Sequence, residues 1–176
     1  MFNTIGIITK QQDITSEKTA KELGAFLKEQ GVSLVEGEKA IKKSADLIIV
    51  VGGDGSILST ARTYVDSNIP ILGINLGRLG FLADVSVESM TTLISDILSG
   101  EYIKEKRALL SCQVEREGNI LPQHLAFNEV VVHRNETPRM IEFELFVDGD
   151  FVNKQRADGM IAVSYTHLTL PTICSV

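Results

Sequence analysis

The chain has 176 residues, 44% hydrophobic and 23% charged, enough to bury one sizeable core or one domain with part of another. A net charge of −6 gives no general attraction to nucleic acid or to an anionic membrane, so an anionic substrate must be held by local cations. No uninterrupted apolar segment reaches the length of a membrane span, and the N-terminus lacks the basic-then-apolar layout of a signal peptide. The two cysteines, Cys112 and Cys174, match no zinc spacing, and no metal-ligand cluster is visible. The expectation is a cytoplasmic chain with reduced thiols.

In chain order, Thr4–Thr9 reads as a strand and Ser16–Gln30 as a helix ended by Gly31. Val32–Val35 is a short strand and Lys39–Ser44 a helical turn. The apolar run Leu47–Val51, unbroken by polar alternation, suits a parallel strand buried on both faces, and a helix follows it. Asp66–Pro70 is a loop, Ile71–Leu76 another buried strand, and Val87–Ser99 a helix capped by Ser86 with Gly100 beyond its end. From about residue 101 extended segments take over: Leu109–Glu115, Ala126–His133, Met140–Val147, Phe151–Arg156 and Met160–Val163. Asp148-Gly149 is a good hairpin turn and Glu117-Gly118-Asn119 a weaker one. The pattern predicts an α/β fold, with a doubly wound, Rossmann-like parallel sheet over residues 1–100 and an incomplete β-rich, sandwich-like domain from 101 to 163.

Behind Leu47–Val51 stands Gly52-Gly53-Asp54-Gly55-Ser56, where a strand hands over to a helix. Glycines at Gly52, Gly53 and Gly55 permit backbone conformations closed to other residues, so successive N–H groups can converge on phosphate oxygens beside a helix N-terminus. A carboxylate repels phosphate, so Asp54 inside such a cradle points to proton transfer or metal holding. The plainer alternative is a tight turn in which Asp54 only caps the helix.

A second cluster, Asn75 to Asp84, lies beyond the carboxyl end of the next strand, the edge where ligands collect in open parallel sheets. Arg78 could reach phosphate and Leu79 and Phe81 could cover an apolar ring, or all the apolar residues there are core beneath a loop, the reading preferred for Leu82. The third feature is Asn128-Glu129, two poor strand formers inside a strand pattern. They mark either a solvent-facing bulge or a clamp for vicinal ribose hydroxyls.

The ordered set Gly-Gly-Asp-Gly at 52–55, Asn-Leu-Gly-Arg-Leu-Gly-Phe-Leu at 75–82, Phe-Asn-Glu at 127–129, Arg-Met-Ile-Glu-Phe at 139–143 and Arg-Ala-Asp-Gly at 156–159 resembles the bacterial NAD kinase (ATP-NAD kinase) family. The glycine loop alone is shared with diacylglycerol-type lipid kinases, whereas the ordered set is far more specific. The resemblance implies transfer of the γ-phosphoryl of ATP to the 2′-hydroxyl of the adenosine ribose of NAD, with Mg²⁺ or another divalent metal. It implies Asp54 as general base, Gly55 sharing the NAD pocket with Leu79 and Phe81, and Gly52 and Gly53 among the cofactor-binding residues. Asn128, Glu129 and Asp158 would contact NAD, and Arg139 and Arg156 would line the nucleotide site. It also implies a homo-oligomer at full length and no nucleic-acid or membrane partner. A lipid kinase of the same superfamily and a non-catalytic nucleotide-binding domain are the alternatives.

His124, His133 and His167 carry little weight as catalysts, and the Lys39-Lys42-Lys43 and Lys104-Lys106-Arg107 groups read as solvated faces. The resemblance ends after Val163, where the family continues with a Pro-Thr-Gly-Ser-Thr-Ala-Tyr-like segment. Residues 164–176 are expected to be a non-family tail of translated adapter sequence, leaving the second domain with open strand edges and an unfinished apolar core.

Overall fold

The computed structural model describes residues 2–10, 12–77, 82, 85–135 and 139–164. Two compact units divide between Lys106 and Arg107. No helix among the described residues is long and apolar enough to cross a membrane.

The first unit runs β1 (Thr4–Thr9), α1 (Ile14–Glu29), β2 (Ser33–Val35), α2 (Glu38–Ser44), β3 (Leu47–Val51), α3 (Asp54–Thr63), a 3₁₀ turn at Val65–Ser67, β4 (Ile71–Asn75), β5 (Val85–Ser86) and α4 (Met90–Ser99). Its strands form one parallel sheet in the order β2-β1-β3-β4-β5. All five residues of β3 are buried, as the unbroken apolar run requires. Successive side chains of a strand point to opposite faces. Leu47, Ile49 and Val51 accordingly join the cluster holding Leu23 and Leu27 of α1 and Met90 and Ile94 of α4. Ile48 and Val50 join the one holding Ile41 of α2 and Ile57 and Tyr64 around α3. Helices therefore cover both faces, and each fully buried aliphatic side chain contributes about 1.5–3 kcal/mol.

Local chemistry sets the ends of these elements. Asp13 caps α1, its Oδ1 accepting from the Ser16 N–H at 3.1 Å. Gly31 and Gly100 take φ of +79° and +104° just past α1 and α4, the left-handed turn that glycine makes without steric cost. The expected cap Ser86 is displaced: Val85–Ser86 pair with Ile74–Asn75 as β5, and α4 begins only at Met90 with Ser89 before it. The Ser86 Oγ instead accepts from the Ser89 N–H at 3.4 Å, closing a side-chain-to-backbone turn that the periodicity of 87–99 disguises as helix.

The second unit holds β6 (Leu110–Cys112), β7 (Glu115–Arg116), β8 (Asn119–Ile120), β9 (His124–Ala126), β10 (Glu129–His133), β11 (Ile141–Val147), β12 (Asp150–Ala157) and β13 (Gly159–Val163). They pair as four antiparallel two-stranded ladders: β6 with β9, β7 with β8, β10 with β13 and β11 with β12. Both hairpin signals hold, with positive φ at Glu117 and Gly118 and at Asp148 and Gly149, the pair that a two-residue turn matched to strand twist demands. The region is β-rich as expected, but its described residues form separate ladders rather than stacked sheets, and none of their side chains is fully buried. Of residues 164–176, only Ser164 lies among the described residues; its N–H donates to the Asn128 carbonyl at 2.8 Å.

Candidate active site

The glycine loop sits at the carboxyl edge of the parallel sheet. The Gly52 N–H donates to the Ile74 carbonyl at 2.9 Å, carrying the β3–β4 ladder one residue past the strand. Gly53 is the N-cap of α3, and its carbonyl accepts from the Ser56 N–H at 2.9 Å. Asp54 is thus the first residue of the helix and not its cap. Its half-buried carboxylate accepts from the Leu82 N–H at 3.2 Å, tying the loop after β3 to the segment after β4. Leu82 itself packs against the Ile48 and Ile57 face, the core position expected of it.

The glycines serve a purpose other than the backbone freedom expected from sequence. None of Gly52, Gly53 and Gly55 takes a positive φ. At Gly52 the reason is crowding, because an added Cβ would lie 2.7 Å from the Ser56 Oγ and 3.0 Å from its Cβ. At Gly53 and Gly55 an added Cβ would meet none of the described residues within 4 Å, so they leave open space above both α-carbons. That space is where a ligand can approach the backbone closely. Gly53→Ala is expected to leave the melting temperature nearly unchanged while weakening binding of an anion such as inorganic tripolyphosphate at the loop, measured by calorimetry. Gly52→Ala is expected to lower the melting temperature, and the reverse ranking would mean that Gly53 is structural.

A buried hydroxyl braces this edge. The Ser16 Oγ, wholly buried, donates to the Val51 carbonyl at 2.6 Å and accepts from the Lys10 N–H at 3.2 Å. The β1–α1 turn and the end of β3 are joined at one atom. Beyond β4, the Asn75 Oδ1 accepts from the Gly77 N–H at 3.2 Å, folding the chain back at the strand end. Arg78, Leu79 and Phe81, the remaining residues expected in this cluster, lie outside the described residues.

The other expected residues belong to the second unit. The extended segment predicted at Ala126–His133 is interrupted: β9 ends at Ala126, Phe127 and Asn128 bend, and Glu129 opens β10. The Ser164 Oγ donates to the Phe127 carbonyl at 2.6 Å, pinning that bend. Asn128 and Glu129 therefore mark a break between strands, which is why two poor strand formers are tolerated there. Glu129 pairs with Val163, whereas Gly159 pairs with His133 at the other end of the same ladder. At about 3.4 Å per residue, Glu129 and Asp158 are separated by the length of β10. Asp158 sits in the turn between β12 and β13, its Oδ1 2.8 Å from the Arg134 Nε and its carbonyl accepting from the Arg134 N–H at 2.9 Å. Arg134 is a partner the sequence did not indicate, since only the register of β10 brings it there.

Arg156 stands opposite Glu142 on β11, and Ala157 opposite Ile141. Arg139, two residues before β11, therefore comes to the same end of the β11–β12 ladder as Arg156, and both are exposed. The Lys154 Nζ, 2.6 Å from the Glu142 Oε1, donates to it and holds that carboxyl below the ordinary carboxylate range, with Arg156 adding a smaller attraction. The structure thus groups Arg139, Arg156 and Asp158 near one turn and places Asn128 and Glu129 apart from them.

Residues 33–102 match the ATP-NAD kinase N-terminal domain. The NAD kinase of Hydrogenovibrio crunogenus is 41% identical over 187 residues, covering 96% of this chain and 64% of that one. The NAD kinase of Teredinibacter turnerae is 40% identical, covering 96% of this chain and 63% of its own length. Yeast NADH kinase complexed with NADH shares the fold at a TM-score of 0.82 and 20% identity, over 92% of this chain and 57% of that one. An NAD kinase from Archaeoglobus fulgidus in complex with ATP gives a TM-score of 0.67 at 26% identity, over 91% of this chain and 60% of that one. The chain spans just under two thirds of the length of the curated relatives named here, and over that span it is similar to members of the NAD kinase family.

Proposed function

We propose that this chain carries the catalytic loop and part of the dinucleotide site of an NAD kinase, which transfers the γ-phosphoryl of ATP to the 2′-hydroxyl of the adenosine ribose of NAD and releases ADP and NADP. The observation that carries the reading is Asp54, a carboxylate set among glycines with open space above them at the carboxyl edge of a parallel sheet. A ribose hydroxyl is far less acidic than a carboxylic acid, so Asp54 takes its proton only as the new phosphorus–oxygen bond forms and the bond to the leaving ADP breaks. The loop amides at the start of α3 receive the phosphate oxygens.

Leu79 and Phe81 would cover the NAD rings, Asn128 and Glu129 would hold ribose hydroxyls, and Asp158 with Arg139 and Arg156 would complete the nucleotide contacts. Arg134 would hold Asp158 in place through its ion pair. Among the described residues no group of three or more His, Cys, Asp or Glu side chains could hold a metal ion. Mg²⁺ would arrive with the nucleotide, since it is commonly held by substrate phosphates and waters. When bound it neutralises triphosphate charge. The same reading makes the full-length protein a cytoplasmic homo-oligomer.

The test is product identification. The chain is incubated with ATP, Mg²⁺ and NAD, or with ATP, Mg²⁺ and diacylglycerol vesicles. NADP formation without lipid phosphorylation is expected. Lipid phosphorylation would reassign the substrate, and ATP binding without either product would leave a nucleotide-binding domain.

A further inference from the structure

Lys10 follows β1 and opens the turn into α1. The parallel register sets Thr9 opposite Val51, so Lys10 stands beside Gly52. A Cβ on Gly52 would lie 3.9 Å from the Lys10 Cβ, which places the root of the lysine against the glycine loop. That root is fixed. The Lys10 N–H donates to the buried Ser16 hydroxyl, which itself donates to the Val51 carbonyl. The side chain beyond it is exposed, and no acid is paired with its ammonium among the described residues.

Topology points to the same place independently. The sheet runs outward from β1 to β2 on one side and from β3 to β4 and β5 on the other, so the chain reverses direction between β1 and β3. In open parallel sheets the ligand crevice opens at such a reversal, outside the carboxyl ends of the two strands. Lys10 forms one lip of that crevice and Gly52 to Asp54 the other.

We propose that Lys10 is a phosphate-binding cation of this crevice, its ammonium meeting a polyphosphate tail from the β1 side while the loop amides meet it from the β3 side. The assignment of that tail to ATP rests on the kinase reading above; the anion site itself does not. The chemistry requires such a group. Asp54 brings a negative charge into a loop that must receive several more, and a compact ammonium on a flexible four-carbon stem can follow a terminal phosphate as it moves. The side chain is not buried, so removing it leaves the core untouched.

The experiment compares the wild-type chain with Lys10→Met and Lys10→Arg, using calorimetry with ATP, adenosine and inorganic tripolyphosphate, together with melting temperatures. Lys10→Met is expected to melt like the wild type and to bind ATP and tripolyphosphate about 10-fold to 100-fold more weakly, the scale of one charge-assisted contact. Adenosine binding stays the same, and Lys10→Arg restores most of the loss. Equal affinity of wild type and Lys10→Met for both polyphosphates overturns the role of Lys10 and leaves the kinase reading standing. A Lys10-dependent site that takes tripolyphosphate but not ATP overturns the kinase reading and keeps the anion site. No binding of either polyphosphate by the wild type overturns both.

Discussion

Under the proposed kinase role, Asp54→Asn is expected to lower NADP formation by about 10²–10⁴, the usual contribution of a general base, with little change in NAD affinity. The substitution is close to isosteric, and its amide oxygen can still accept from the Leu82 N–H that Asp54 Oδ1 engages at 3.2 Å. The link between the loop after β3 and the segment after β4 therefore survives, and so does the first turn of α3. What disappears is the capacity to take a proton from the ribose hydroxyl. Initial rates with saturating ATP and calorimetric titration with NAD separate the two effects. Near-normal turnover would remove Asp54 from proton transfer, and a parallel loss of NAD binding would make it a binding residue instead.

The second large effect is structural and falls in the other unit. Gly159→Ala is expected to break the β10–β13 ladder. An added Cβ would collide with the Val132 carbonyl oxygen and would lie 2.9 Å from the His133 Cα and 3.1 Å from its Cβ. Backbone cannot swing aside as a side chain does. Val132 pairs with Met160 and His133 with Gly159, so relief of the clash means separating the strands. The cost is at least the roughly 1–3 kcal/mol typical of overpacking. It also reaches the adjacent Asp158, which Arg134 holds through the 2.8 Å ion pair and the backbone bond next to it. Urea denaturation followed by circular dichroism in the far ultraviolet should show a lower midpoint for the strand signal. An unchanged midpoint would mean that the ladder flexes enough to admit the methyl group.

Much of the first unit was readable from residue pattern because its signals are local. Leu47–Val51 is five buried apolar residues and became a central strand with the predicted bounds. Thr4–Thr9 did likewise, and Gly31 and Gly100 stopped their helices as glycine does. The strand order was not readable, since nothing in a five-residue run says which neighbours it takes. That is why Lys10 went unnoticed: it matters only once β1 is known to lie beside β3. β5 was missed for a related reason, because two residues carry no periodicity and Ser86 satisfies the rule for a helix cap equally well.

In the candidate site the residue types drew attention to particular loops, but the structure gives other physical reasons for those residues. Gly52 is small to admit Ser56, while Gly53 and Gly55 border empty space, a distinction invisible in three identical letters. Asn128 and Glu129 looked anomalous in a strand because they fall where one strand ends and the next begins. The Arg134 to Asp158 pair spans a turn and a ladder register, so only the folded chain displays it.

The distribution of burial has a consequence in time. Among the described residues, every fully buried hydrophobic side chain lies at or before Ile94, whereas Val131, Val132, Phe146, Val147, Phe151, Val152 and Ile161 of the second unit are all about half exposed or more. Amide protons along β3 can exchange with water only when the whole sheet opens, at close to the full free energy of unfolding. Those of the two-stranded ladders, which lack such a core, exchange through local openings that cost far less. Isotope uptake would therefore proceed on two clocks, and the loop bearing Asp54 is tied to the slow one through Val51 and the buried hydroxyl of Ser16.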